Sequence, residues 1–163
     1  MIKSKRLSYR LFKKTDFNDL KAMYGSDVFC QYLPVKGHLN DVQIQRYLDK
    51  LSTMKNDAQS STIFAVVYEN GVIGYAGIVW IKEVEQYEIM YGFNESYWQM
   101  GFGKEAAAAM KLLAKQRNLK KVIAFAHIDN VPSQHILTSI GYHKVKQVEL
   151  WGLDLYYYEM DLK

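Results

Sequence analysis

The stretch Tyr87-Glu88-Ile89-Met90-Tyr91-Gly92-Phe93-Asn94-Glu95-Ser96-Tyr97-Trp98-Gln99-Met100-Gly101-Phe102-Gly103-Lys104-Glu105 decides the fold. It starts as a strand, breaks at Asn94-Glu95-Ser96 and passes through Gly101-Phe102-Gly103 into an alanine-rich helix. A strand that hands over through glycines to a helix start presents unpaired backbone N–H groups to an anion. Glycine there permits positive φ and keeps a Cβ out of the ligand's way. Two nucleotide loops are excluded. A P-loop needs an earlier glycine and ends in Lys-Ser or Lys-Thr, whereas this segment ends in Lys104-Glu105. A dinucleotide loop needs a third glycine three residues on, where Ala106 stands, and no early βαβ unit surrounds it. A plain helix entry uses the same glycines, so the flanking residues must decide.

The block Trp98-Gln99-Met100-Gly101-Phe102-Gly103-Lys104-Glu105-Ala106 resembles the acetyl-CoA pyrophosphate loop of the GNAT N-acetyltransferases, [R/Q/W]-x-x-G-x-[G/A]. The likeness is greatest to the branch that includes the ribosomal-protein alanine N-acetyltransferases. A second block at family spacing is Asn130-Val131-Pro132-Ser133 with Ile136-Leu137-Thr138-Ser139-Ile140-Gly141-Tyr142, which resembles N-x-x-S…L-x-x-x-G-[F/Y]. A weaker echo is Arg6-Leu7-Ser8-Tyr9-Arg10-Leu11, then Thr15-Asp16 and Tyr32-Leu33-Pro34. Together these blocks cover nearly the whole chain.

The 163 residues suit one domain, 1–163, that buries roughly 70% of its unfolded surface. The one cysteine, Cys30, excludes an internal disulfide and a CxxC zinc site, so no metal is expected. No apolar run of signal-peptide or membrane length follows the basic start, and a cytoplasmic protein is the expectation. The net charge of +4 is zoned: residues 1–62 carry +5, 63–105 carry −4, 106–146 carry +6 and 147–163 carry −3. Such zoning suits a polyanion near the basic helix and a cationic amine near the acidic strands, or solvated faces that merely differ.

Alternation makes Leu7–Leu11 a strand, and Thr15 caps a helix that ends near Gly25. Asp27 is expected to cap a short helix to Tyr32. Asn40 and Gln43 form a capping box before the stripe Ile44, Tyr47, Leu48, Leu51. Asn70-Gly71 is the hairpin turn between Ile63–Tyr68 and Val72–Trp80. The helix from Gly103 ends near Arg117 with Asn118 as a left-handed cap. Val122–Ala126 is too continuously apolar to have a wet face. Pro132 opens the last helix, and two closing strands meet at Trp151-Gly152. The order β-α-α-α-β-β-β-α-β-α-β-β supports α/β or α+β. The resemblance implies a GNAT-like mixed, mostly antiparallel sheet, with a V-shaped splay between two central strands and helices on both faces.

The resemblance also assigns the site. The backbone of Tyr91 and Phe93 would hold the pantetheine arm as an added strand. The N–H groups of Met100, Gly101, Phe102, Gly103 and Lys104 would hold the pyrophosphate, with the Lys104 ammonium either helping or simply solvated. Asn130 would lie near the pantetheine, cap the helix, or do both. Attack of an amine on a thioester needs a base, a donor to the developing oxyanion and a donor to the leaving sulfur. Glu88 is the first choice of base, directly or through water; otherwise it is a hairpin-end carboxylate. His127 is a second titratable candidate or a loop-bonded strand end. Many relatives carry a tyrosine acid where this chain has Leu137, which leaves Ser133 as the donor to sulfur or the thiolate unprotonated. The reading is therefore an acetyl-CoA-dependent N-acetyltransferase. Its acceptor would be a peptide N-terminus, polyamine, amino sugar or small metabolite, and the protein a monomer or homodimer. A non-catalytic acyl-CoA-binding module is the alternative. Nucleic acid fits poorly, given the acidic zones and the lack of an RNA-binding motif.

Overall fold

Alternating apolar runs build an eight-stranded sheet in the computed structural model, which describes residues 2–163. In chain order the elements are β1 (Ile2–Lys3), β2 (Ser8–Leu11), α1 (Phe17–Tyr24), α2 (Asp27–Cys30), α3 (Asp41–Ser52), β3 (Thr62–Tyr68), β4 (Gly71–Ile81), β5 (Gln86–Phe93), α4 (Phe102–Gln116), β6 (Lys121–His127), α5 (Val131–Ser139), β7 (His143–Leu150) and β8 (Leu153–Asp161). The strands lie in the order β1-β2-β3-β4-β5-β6-β8-β7. Every neighbouring pair is antiparallel except β5 with β6. That parallel pair has one register position, Glu88 opposite Ile123, near the start of both strands. Beyond it no further register position joins the two strands. The expected V-shaped splay is therefore present.

The two faces are covered by different helices. Leu20 and Met23 of α1 join Ile44, Leu48 and Leu51 of α3 in a cluster against Ile63, Ala65 and Tyr75. On the other face, Ala106, Ala109, Met110 and Leu113 of α4 and Leu137 of α5 pack on Ile78, Ile89, Phe93 and Ala124. Small side chains at the α4 contact let the helix backbone lie close to the strands. A third, smaller cluster of Ile81, Ile123 and Tyr157, with Phe125 against it, fills the sheet beyond the reach of α1 and α3. Cys30 is buried in the α2 region, where its thiol donates to the Tyr24 carbonyl at 3.4 Å. Burial, and then the nearby Asp27 carboxylate, push the thiol pKa up. Among the described residues no helix is long and apolar enough to cross a membrane.

Most local expectations hold. The Asn40/Gln43 capping box forms in both directions at 2.9 Å, and Asn118 takes the left-handed cap at φ 61°. Three details differ. The hairpin turn is Glu69-Asn70, both at positive φ, because Tyr68 pairs with Gly71 and draws that glycine into β4. Ser26, not Asp27, caps α2 through the Phe29 N–H. Before α1, Asp16 pairs bidentately with Arg10 and also accepts from the Lys13 N–H, so a 3-10 turn precedes the helix.

The segment from Ser4 to Leu7 carries a brace that the sequence did not reveal. The Glu105 carboxylate, in the first turn of α4, accepts from Ser4 Oγ, the Arg6 N–H at 2.7 Å, the Leu7 N–H at 3.2 Å and Arg6 Nε at 2.9 Å. Burial opposes its charge, but the bonds from Ser4 and Arg6 outweigh that and lower its pKa. Arg6 also donates to the Met100 carbonyl at 2.8 Å and lies over the Phe102 ring at 4.3 Å. The N-terminal segment thereby pins the loop before α4. Glu105→Ala leaves several donors without their acceptor and is expected to cost about 2–4 kcal/mol, lowering Tm by roughly 4–16 °C for a chain of this size. A lowered carboxylate pKa stabilises above the unfolded value and is lost below it. The Tm gap between variant and wild type should therefore narrow as pH falls below about 4. A gap that ignores pH would mean that the brace is not carried by the charged carboxylate.

Candidate active site

The loop between β5 and α4 is a concave run of donors. Gln99 and Gly101 both sit at positive φ, 63° and 80°, and Gly101 is the left-handed N-cap of α4. The first intrahelical bond runs from the Glu105 N–H to the Gly101 carbonyl. No N–H from Gln99 through Lys104 donates to a protein acceptor among the described residues. With the positive end of the α4 dipole behind them, these groups suit a diphosphate. Gly103, in the first helical turn, has a packing role as well: a Cβ there would lie 3.1 Å from Ile136 Cδ1 and 3.6 Å from Tyr91. Phe102 turns its ring into the core against Phe93 and Tyr68, so only its backbone faces the loop. The Lys104 side chain is exposed.

The phase of the β4–β5 ladder sets which backbone groups face the splay. Asn94 N–H donates to the Ile73 carbonyl at 2.9 Å, so alternate residues of β5 bond to β4. The groups of Ile89, Tyr91 and Phe93 then point towards β6. Beyond the single rung they form an open strand edge. At its far end the Phe93 carbonyl accepts from the Trp98 indole at 2.7 Å, which ties the loop to the strand.

Side-chain alternation divides the chemistry between the faces. Tyr91 lies on the α4 side, where its hydroxyl is 3.2 Å from Ser133 Oγ on α5. Burial raises the Tyr91 pKa to about 12, partly offset by the bond with Ser133, so the phenol remains a proton donor. Asn130 caps α5 by accepting from the Ser133 N–H at 3.4 Å. Leu137 is 1% exposed, and its side chain packs in the core behind this pair.

Glu88 lies on the opposite side, at the vertex of the splay. It is half-buried, and loss of solvent drives its pKa up to about 8, although the Phe125 backbone bond pulls it down. A carboxylate so placed is a proton acceptor matched to near-neutral work. It lines a cavity of about 620 Å³ together with Tyr32, Tyr47, Trp80, Phe125 and Trp151. Asn130, Ser133 and Tyr91 border the same cavity, so the opening runs through the sheet between β5 and β6. His127 also borders it, but its Nδ1 accepts from the Asp129 N–H at 3.1 Å and its ring lies 4.9 Å from the Tyr32 ring. Tyr32 further donates to the Asp129 carbonyl at 3.4 Å, so these residues bridge α2 and the β6–α5 turn over the cleft.

The structure thus brings Glu88, Tyr91, Asn130 and Ser133 to one opening, and Met100 through Lys104 to a loop beyond the end of β5. Arg6, Glu105 and the Tyr91 hydroxyl escaped the sequence reading. For Tyr91 a signal existed, since strand alternation alone puts it with Ile89 and Phe93 on the side facing α4. For Arg6 and Glu105, almost a hundred residues apart, there was none.

Comparison with known proteins agrees with this geometry. The acetyltransferase (GNAT) domain family matches residues 6–143. An uncharacterized N-acetyltransferase, YnaD of Bacillus subtilis (strain 168), is 30% identical over 174 residues, covering 96% of this chain and 94% of the relative. A GNAT-family acetyltransferase from Bacillus anthracis superimposes with a TM-score of 0.83 at 24% identity, over 99% of this chain and 98% of that one. AAC(6')-Ib in complex with ribostamycin and coenzyme A gives a TM-score of 0.79 at 14% identity, over 96% and 94%. The fold is shared with the two solved structures, and by the family match over most of its length this chain belongs to the GNAT acetyltransferases.

Proposed function

We propose that the chain transfers an acetyl group from acetyl-CoA to a primary amine by direct attack, with both substrates bound together. The observation that carries this reading is the single β5–β6 rung. It opens the sheet between a donor-lined loop on one side and a carboxylate-bearing cavity on the other. Acetyl-CoA supplies the activated acetyl group as a thioester. The N–H groups of Met100 through Lys104 hold its diphosphate, and the open edge at Tyr91 and Phe93 receives the pantetheine amides, with Asn130 beside them. Glu88 takes a proton from the substrate ammonium. The amine nitrogen then bonds to the thioester carbon, the C–S bond breaks with its electron pair leaving on sulfur, and the nitrogen's second proton passes to that sulfur, giving the amide and the free thiol of CoA.

Donation to that sulfur falls to the Tyr91–Ser133 pair. In this reading, the hydroxyl expected from α5, where Leu137 stands, comes from β5 instead. That removes the main support for a non-catalytic acyl-CoA-binding module.

The direct test is a melt with and without acetyl-CoA, then thiol release against an amine panel. At about 100 times Kd the ligand should stabilise by roughly 2.7 kcal/mol. No stabilisation at saturation would end the proposal, while stabilisation with no turnover on any amine would favour the binding module.

Ser133→Ala and Tyr91→Phe should each lower kcat roughly ten- to a hundredfold, from the 1.5–3 kcal/mol typical of a bond to a charged group. Because the hydroxyls act as one relay, the double variant should be little worse than the poorer single one. Fully additive losses, or weakened CoA binding at normal kcat, would assign the residues to other tasks.

Glu88→Gln should remove the limb of kcat/KM that rises through about pH 8, with a loss of about 10²–10⁴-fold. It also has a readout free of catalysis. With a pKa raised from 4.5 to about 8, the folded protein holds a proton there that the unfolded chain has shed. Stability due to this group therefore falls as pH rises across that window. The variant should gain on wild type in Tm from pH 5 to pH 8.5. A constant difference would show that Glu88 is an ordinary solvated carboxylate.

A further inference from the structure

The acceptor side of the opening has a charge pattern that a polycation would not match. Glu88 is the one carboxylate among the residues lining the cavity. Next to it lies a second recess of about 480 Å³ between α3 and the segment after α2, and the two share Leu33, Pro34, Tyr47, Lys50, Tyr75 and Met90. The second recess has no acidic lining residue, but has Arg46 and Lys50, one helical turn apart on α3. Neither cation has an ion-pair partner among the described residues. Two acids outside both linings are hydrogen-bonded: Glu83 accepts from the Trp151 indole at 3.2 Å and Asp49 from the Gln45 amide at 3.0 Å.

Flat apolar surface makes up most of the remaining wall. Trp80 and Trp151 line the cavity at 46% and 44% exposure, far more open than the aromatic side chains of the core. The Phe125 ring supports Trp151 edge-on at 5.6 Å, and Tyr87 supports Trp80 at 5.0 Å. Rings held this way offer faces to an aromatic ligand at little entropic cost.

We infer that the acceptor is a monoamine built on an aromatic body that also bears a carboxylate, rather than a polyamine or an aminoglycoside. This rests on the acetyltransferase reading above. The single ammonium lies at Glu88, the ring lies against the exposed aromatic wall, and the carboxylate faces Arg46 and Lys50. A guanidinium is suited to carboxylate recognition through paired N–H donors. A second or third ammonium on the ligand would enter a recess with no further carboxylate to meet it and two cations to repel it.

The test measures Kd by calorimetry for tryptophan, tryptophanylglycine, tryptamine, spermidine and kanamycin on the CoA-loaded protein, alongside kcat/KM with acetyl-CoA. The better of the two carboxylate-bearing probes should bind about tenfold more tightly than tryptamine, a difference of about 1.4 kcal/mol that two exposed ion pairs can supply. Which of the two leads fixes how far the carboxylate stands from the amine. Spermidine and kanamycin should be weakest. In Arg46→Gln with Lys50→Gln, the preference over tryptamine should fall to about one. The inference is overturned if a polycation leads, if tryptamine matches the carboxylate probes, or if the doubly substituted protein keeps the preference. Since binding is read separately from turnover, an expected affinity order without any acetylation would reject the catalytic reading and leave the acceptor class intact.

Discussion

One rung of parallel pairing, Glu88 opposite Ile123, holds two partial sheets together, and the site depends on how little that is. On one side, β1 to β5 form a continuous antiparallel ladder; on the other, β6, β8 and β7 form a second. A fully zipped β5–β6 pair would satisfy every backbone group and leave no passage through the sheet. Because pairing stops at one rung, the strands leave amides of β5 without a partner in β6. The rest of the fold keeps the two partial sheets from closing or separating. The α4 and α5 helices pack behind both, and Tyr32 reaches across the mouth to the turn after β6.

Two glutamates illustrate how environment sets the behaviour of one side chain. Glu105 is surrounded by donors and is held ionised, so it acts as a fixed acceptor that ties Ser4–Leu7 to α4. Glu88 has lost solvent and gained only a backbone bond, so its charge is costly and its proton affinity high. The first arrangement contributes rigidity to the loop before α4. The second costs stability at neutral pH, because the folded chain holds a proton there that the unfolded chain has shed.

The fold was legible wherever a local rule acts alone. The Asn40 box, the Asn118 cap and the glycine entry to α4 follow from a few neighbouring residues, and each is present. The Glu69-Asn70 turn was displaced by one residue because ladder register, a property of two strands, overrides the preference of Asn-Gly for the turn centre. Within the candidate site, the unpaired N–H groups from Met100 to Lys104 could be anticipated because glycine spacing announces a left-handed helix entry. The Arg6–Glu105 brace could not, because it joins segments 99 positions apart and neither residue type is unusual where it stands. Tyr91 lies between these extremes. The expectation for its backbone came from the family resemblance, while its hydroxyl contact needed the distance to Ser133.

Cys30 has a consequence for a protein that works on thioesters. Any accessible thiolate would invite transthioesterification, taking the acetyl group from the donor, and could later pair with released coenzyme as a mixed disulfide. The chain has one cysteine, and it is 1% exposed, bonded to the Tyr24 carbonyl, with its thiol pKa raised by burial. That leaves no ready sulfur nucleophile at the surface. The scaffold thereby offers the thioester no competing thiol of its own.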